Sequence, residues 1–135
     1  MRFSKTTEYA LRTLAFMSSV PREPLSSERL HRELGIPRKY LKRLLTDLAR
    51  RGLTRSIRGR TGGYVLARRL GAIKLADIVD AVEGLERTPR CFFGLGVCLA
   101  ARPCVMHSRW VRHHRSLIDT LTRTSLADIV SRPAR

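Results

Sequence analysis

The chain has 135 residues, 43% of them hydrophobic, and its 27 lysines and arginines against 11 acidic residues give a formal net charge of +16 at pH 7. That length suits one domain with its own core, no apolar run reaches the ~20 residues of a membrane-spanning helix, and MRFSKTTEYALR lacks the apolar segment of a signal peptide, so a cytoplasmic protein without membrane contact is expected. Basic residues recur along the whole length instead of forming one tail, which favours a polyanionic partner, nucleic acid ahead of a membrane surface.

Taken in chain order, residues 6–19 place Ala10, Leu11, Leu14 and Ala15 at helical spacing, with Thr6 or Thr7 as N-cap and VPREP as the stop. LSSERLHRELG predicts a short second helix that begins at a serine cap, carries Leu30 and Leu34 on one face and ends at Gly35. After the turn GIP a third helix follows, with Pro37 in its first turn and Leu41, Leu44, Leu45 and Leu48 as its apolar stripe. Two short helices joined by a tight glycine-containing turn make a helix-turn-helix. The second of the pair keeps Arg38, Lys39, Lys42, Arg43 and Arg50 on its remaining surface, suited to phosphates and base edges in a major groove.

LTRSIRGRTGGYVLAR then offers two strand-like runs, Leu53 to Ile57 and Tyr64 to Ala67, around a glycine-rich tip. A hairpin appended to a helix-turn-helix is a wing, and Arg58 and Arg60 at its tip can enter a minor groove, with Gly62 and Gly63 as shape residues. GRTGG has neither the lysine nor the strand-to-helix context of a nucleotide-binding loop.

LADIVDAVEG predicts a further helix with Leu75, Ile78, Val79 and Val82 on one face and a stop at Gly84. A longer helix carries Trp110, Val111, Leu117, Ile118 and Leu121, a narrow seam better explained by a homodimer interface than by a core the winged helix already has. Such a dimer presents two recognition helices to double-stranded DNA with a palindromic operator. TSLADIV should pack back on the body, SRPAR should fray, and the chain reads as free of internal repeats and low-complexity segments. The expected fold is mostly α: a winged helix-turn-helix with a two-stranded wing over 1–84, a metal-binding loop over 85–108, and a dimerisation helix with C-terminal tail over 109–135.

All three cysteines lie in CFFGLGVCLAARPCVMHSRW, spaced Cys91-x6-Cys98-x5-Cys104-x2-His107. In a reducing compartment an odd, clustered set points to a metal site, a reactive thiol or buried filler instead of a disulfide framework. Thiolates are the soft donors that iron–sulfur clusters and zinc prefer, and an imidazole completes either site. The order Cys, Cys, Cys, His resembles the CCCH zinc fingers, so a closed structural zinc site without sensing is the alternative to a labile cofactor. A thiol enzyme finds support only in Arg90 and Arg102, which would lower a neighbouring thiol pKa, and no pocket-forming polar constellation accompanies them, so no catalytic activity is expected.

The opening MRFSKTTEYALR, the helix GIPRKYLKRLLTDLARRGL, the wing SIRGRTGGYVLAR, ADIVDAVEG and the three-cysteine loop, in that order, resemble the IscR/NsrR branch of the Rrf-two family of bacterial transcriptional regulators. The resemblance covers almost the whole chain. It implies a dimeric winged-helix repressor that holds an iron–sulfur cluster in each subunit and senses redox state, iron or cluster supply, or nitric oxide. It further implies Cys91, Cys98 and Cys104 as cluster thiolates. IscR-like members add a histidine after the last cysteine, matching His107, and hold a 2Fe-2S cluster. NsrR-like members take an acidic residue from the partner subunit, matching Glu8, and hold a 4Fe-4S cluster; His107 is preferred here because its spacing needs no assumption about the dimer. Two departures stand out: the first cysteine interval is one residue longer, and Lys42 replaces an acidic base-reading residue of IscR, so operator sequence does not transfer. Arg38, Lys39, Tyr40, Arg58 and Arg60 are the expected DNA contacts.

Overall fold

Helix α1 (Lys5–Ser19) begins at Ser4, whose extended backbone lets its hydroxyl accept the Thr7 N–H at 3.3 Å. The cap is thus Ser4 and not Thr6 or Thr7, because Thr7 is needed inside: it is fully buried and its hydroxyl donates to the Glu83 carboxylate. This computed structural model describes residues 3–20, 23–98 and 100–131, so most of the expected stop VPREP is visible but Pro21 and Arg22 lie outside the described residues, as do residues 132–135 of the expected fraying tail.

Helix α2 (Ser27–Leu34) is capped by Ser26, which accepts the Arg29 N–H, and ends at Gly35, whose φ of 66° closes the helix with an N–H to His31 O bond. Pro37 stands at the cap of α3 (Arg38–Arg50), one position ahead of the first turn, where its missing N–H leaves no unpaired donor. Leu41, Leu44, Leu45 and Leu48 are all buried and meet Ala10, Leu14, Leu30 and Ile36 in the main core. Each fully buried leucine contributes on the order of 2 kcal/mol of transfer free energy, which is what holds these short helices together.

The wing is the antiparallel pair β1 (Thr54–Ile57) and β2 (Gly63–Leu66), registered Thr54 to Leu66 and Ile57 to Gly63. Leu53, expected in the first strand, precedes it and is fully buried in the core. Leu25 adds a single-residue third strand through two backbone bonds to Tyr64, of 3.0 and 2.9 Å.

A 3-10 turn (Leu70–Ala72) leads to α4 (Leu75–Val82); the cysteine loop connects it to α5 (His107–Arg123), and α6 (Leu126–Ser131) ends the described chain. The chain does contain a short repeat, contrary to the expectation: Leu75-Ala76-Asp77-Ile78-Val79 recurs as Leu126-Ala127-Asp128-Ile129-Val130. Both copies start a helix, and their entry strands pair antiparallel at Lys74 and Ser125, with Leu75 N to Thr124 O at 2.9 Å and Leu126 N to Ile73 O at 2.8 Å. In each copy the aspartate accepts the cap N–H, Asp77 from Lys74 and Asp128 from Ser125. Five residues are too few to register as a repeat against a background rich in leucine and alanine, and their pairing is visible only in three dimensions. The fully buried Leu126 anchors the returning segment, as expected of TSLADIV.

Helix α5 lies along α4, where Leu121 is buried with Ala76 and Val79, and Leu117 packs at the edge of that cluster. Leu117 and Leu121 of the expected seam therefore pack within their own chain. Among the described residues no helix is long and apolar enough to cross a membrane.

Candidate DNA interface and metal centre

On α3 the leucine stripe faces the core, which by helical periodicity leaves Arg38, Lys39, Tyr40, Lys42 and Arg43 exposed. They are not equivalent. Arg38 is held by Glu28 at the start of α2 through a two-pronged pair, Nε to Oε2 at 2.9 Å and Nη2 to Oε1 at 2.6 Å. That hydrogen bonding holds the Glu28 carboxyl below its ordinary pKa and raises Arg38 above its own. Tyr40 rests edge-on against Tyr9 of α1, with ring centroids 5.6 Å apart, and the Lys5 ammonium sits 5.4 Å from the Tyr9 ring. Glu28 and Tyr9 are support residues with no signal in the sequence, since each acts across a turn or between helices.

Arg58 and Arg60 are exposed at the wing tip. Gly62 and Gly63 are shape residues in a strict sense: a Cβ on Gly62 would drive into the Ile57 carbonyl, and one on Gly63 would lie 2.5 Å from the Leu25 backbone. Glycine at 63 is what allows the wing to approach Leu25.

The cysteine segment folds as a small strapped hairpin. Arg90 and Val97 bridge antiparallel, the Cys98 N–H donates to Pro89 O at 2.9 Å, and the Cys91 N–H donates to Gly96 O at 2.6 Å. Gly94 and Gly96 turn the tip at φ of 80° and 90°, values that favour glycine. Cys91 and Cys98 thereby stand on the rungs either side of the Arg90–Val97 pair of one ladder. The chain returns through Cys104, whose carbonyl accepts the His107 N–H at 3.0 Å at the start of α5. Cys98 Sγ lies 3.2 Å from His107 Nδ1. Cys91 and Cys98 are half-buried and Cys104 is exposed.

The Cys98 thiol is pushed up by desolvation first, then by the charges Cys91 and Cys104 would carry as thiolates. Three thiolates repel one another unless a cation offsets their charge, and this donor set suits iron–sulfur or zinc chemistry. Among the described residues no three His, Cys, Asp or Glu side chains are gathered within reach of one ion, so Cys98 and His107 form the assembled part of the donor set. Glu8 stands exposed on α1, ion-paired with Lys5 at 3.0 Å.

Trp110 straps this loop to α5. Its indole N–H donates to Arg90 O at 2.6 Å, Phe92 meets its ring at 5.4 Å, and His113 stacks on it at 6.0 Å. Val111 and Ile118 are half-buried on α5. An open groove of about 830 Å³ between α4, α5 and the loop is lined by Phe3, Cys91, Phe92, Leu117 and Ile118.

The Rrf2 family profile, described as an iron-dependent transcriptional regulator, matches residues 3–132. The HTH-type transcriptional regulator IscR of Enterobacter sp. is 32% identical over 125 residues, spanning 90% of this chain and 72% of its own. IscR of Klebsiella pneumoniae is 29% identical over 134 residues, spanning 97% and 80%. Among solved structures, CymR, the global cysteine regulator of B. subtilis, superposes with a TM-score of 0.83 at 26% identity over 99% of both chains. T. potens IscR superposes with a TM-score of 0.77 at 26% identity, over 100% of this chain and 93% of the other.

Proposed function

This chain belongs to the Rrf2 family of winged-helix transcriptional regulators, DNA-binding proteins and not enzymes, and from that premise we propose that it is a repressor whose cysteine loop holds an iron–sulfur cluster. The observation that carries the reading is the Cys98–His107 pair at 3.2 Å, on a hairpin that also carries Cys91 and leads through Cys104 into α5. Cys91, Cys98 and Cys104 supply the thiolates and His107 the fourth donor, with Glu8 of a second copy as the alternative. The cluster, when bound, supplies a centre that changes charge on oxidation or reduction and is dismantled by oxidants or nitric oxide.

The chain's own residues do the rest. The thiolates and the imidazole draw the loop onto the first turn of α5, and α5 presents Val111 and Ile118 to a second copy. The dimer sets the spacing of two α3 helices on a palindromic operator in duplex DNA. Lys39, Lys42 and Arg43 meet phosphates and base edges in the major groove, while Arg58 and Arg60 enter the minor groove. Support for a dimer comes from the apolar surface of the loop, where Phe92, Phe93, Leu95 and Val105 are exposed, an uncommon concentration for a chain that stays alone.

Anaerobic purification followed by iron, sulfide and zinc analysis tests the cofactor, together with visible spectra before and after nitric oxide. Iron with matching sulfide, lost on replacing any one of the three cysteines by serine, is the expected result. Zinc at one per chain without sulfide would overturn the sensing mechanism and leave a structural metal in a DNA-binding protein.

A further inference from the structure

The loop and α5 are separate in sequence up to His107, and the hydrogen bond from the indole of Trp110, in the first turn of α5, to the Arg90 carbonyl joins them. Arg90 immediately precedes Cys91, and Trp110 follows His107 by three residues. One side chain thus ties the Cys91 arm of the hairpin to the turn that carries the candidate imidazole donor. The bond is reinforced by ring contacts on both sides: Phe92 of the loop at 5.4 Å, and His113 and His114 of α5 at 6.0 and 6.4 Å, with His114 buried. Trp110 is the single tryptophan of the chain.

We propose that Trp110 is a positioning residue that transmits the state of the cysteine loop to α5. Its grip on Arg90 O fixes the span between Cys91 and His107, and any rearrangement of the loop on taking up its cofactor pulls on the α5 backbone through the indole. Among the described residues, the covalent chain through Cys104 and the Cys98–His107 contact also link loop and helix, and both lie on the other arm. Without the indole N–H the Cys91 arm is held to α5 by the Phe92 ring contact, which has no fixed direction. The inference rests on the loop being the cofactor site.

The test compares the natural chain with W110F, which keeps an aromatic ring and removes the donor. Amide hydrogen exchange is followed on the whole protein before and after loading with ferrous iron and sulfide, alongside the thermal midpoint. In the apo protein, W110F is expected to speed exchange of the Cys91 and Cys98 amides about tenfold, the effect of losing one such hydrogen bond, while the α3 core amides are unchanged. On loading, the natural chain is expected to slow exchange in both the loop and residues 111–118. W110F still takes up iron, but the slowing stays in the loop. Equal slowing of α5 in both proteins, or unaltered apo exchange at Cys91 and Cys98, overturns the proposal. If the natural chain takes up no iron, the cofactor reading fails, and the apo exchange comparison still decides whether Trp110 holds the loop.

Discussion

Arg38, an expected DNA contact, is tied instead to a carboxylate of its own chain. Arg38 spends both prongs of its guanidinium on Glu28, and the pair is solvent-exposed at the mouth of the helix-turn-helix. E28Q removes a negative charge from the DNA face and releases a cation, so affinity for duplex DNA should rise, and the dependence of log K on log salt should steepen by about 0.9 per subunit for each phosphate gained. Acid should act in the same direction. The depressed pKa means that the pair's contribution to folding is present above the unfolded value near 4.5 and is lost as pH falls through the lower folded value, which frees Arg38 as it weakens the α2–α3 contact. Binding isotherms for the natural chain and E28Q over a salt series, and for the natural chain over falling pH, check both; an affinity that falls in E28Q would show that Glu28 presents Arg38 to DNA instead of restraining it. Such a pair was beyond the sequence because its partners are ten residues apart across a turn, whereas Gly35 and the leucines of α3 were legible because they act through local backbone and period. The cap at Ser4 is hidden in the sequence for a related reason: Ser4, Thr6 and Thr7 are all residue types that can cap, and the burial of Thr7 acts only in the folded core.

Between elements, the same helix answers to two masters. Leu121 of α5 is buried against α4, while Ile118 is half-buried beside the open groove. L121A should therefore lower the stability of the single chain by about 2–4 kcal/mol, the range for a truncated core leucine, seen as a reduced thermal or denaturant midpoint. I118D should leave the unfolding of a dilute, monomeric sample nearly unchanged and weaken self-association, read by sedimentation. If I118D unfolds the chain and L121A only dissociates it, the roles of the two faces are reversed. The wing gives a parallel case: G63A places a Cβ against the Leu25 backbone and holds alanine at a φ of 153°, so the Leu25–Tyr64 bridge must open. A loss of about 1–3 kcal/mol in denaturant unfolding is expected, together with weaker DNA binding as the wing detaches. Strand and helix positions were readable from period and glycine placement. The cysteine hairpin was not, because its Pro89–Cys98 and Cys91–Gly96 bonds join backbone groups in a segment with no periodic pattern. The sequence gathered the candidate donors into one segment, but the pairing of Cys98 with His107 depends on where α5 begins.

At the scale of the molecule, charge sets two opposing responses to salt. Seven ion pairs among the described residues engage Glu8, Glu23, Glu28, Asp77, Asp80, Glu86 and Asp119, yet the chain keeps a net charge of +16. All of these pairs are surface-exposed on at least one side, where each contributes little to stability. The unpaired excess repels itself in the folded state and attracts a polyanion. Added salt screens both effects, with a Debye length that falls from about 30 Å at 0.01 M to about 10 Å at 0.1 M. The free protein should therefore become more stable between those concentrations, measured as a rising thermal midpoint. DNA binding should weaken over the same range: if a dimer neutralises about eight phosphates, log K falls against log salt with a slope near −7. Replacing Arg58 and Arg60 by alanine would bring that slope to about −3.6 if each arginine of the dimer gives up one phosphate contact. The opposite signs make the test discriminating, because nonspecific aggregation or partial unfolding at low salt would move stability and binding together. A slope near zero with an intact fold would count against DNA as the polyanion that this charge selects.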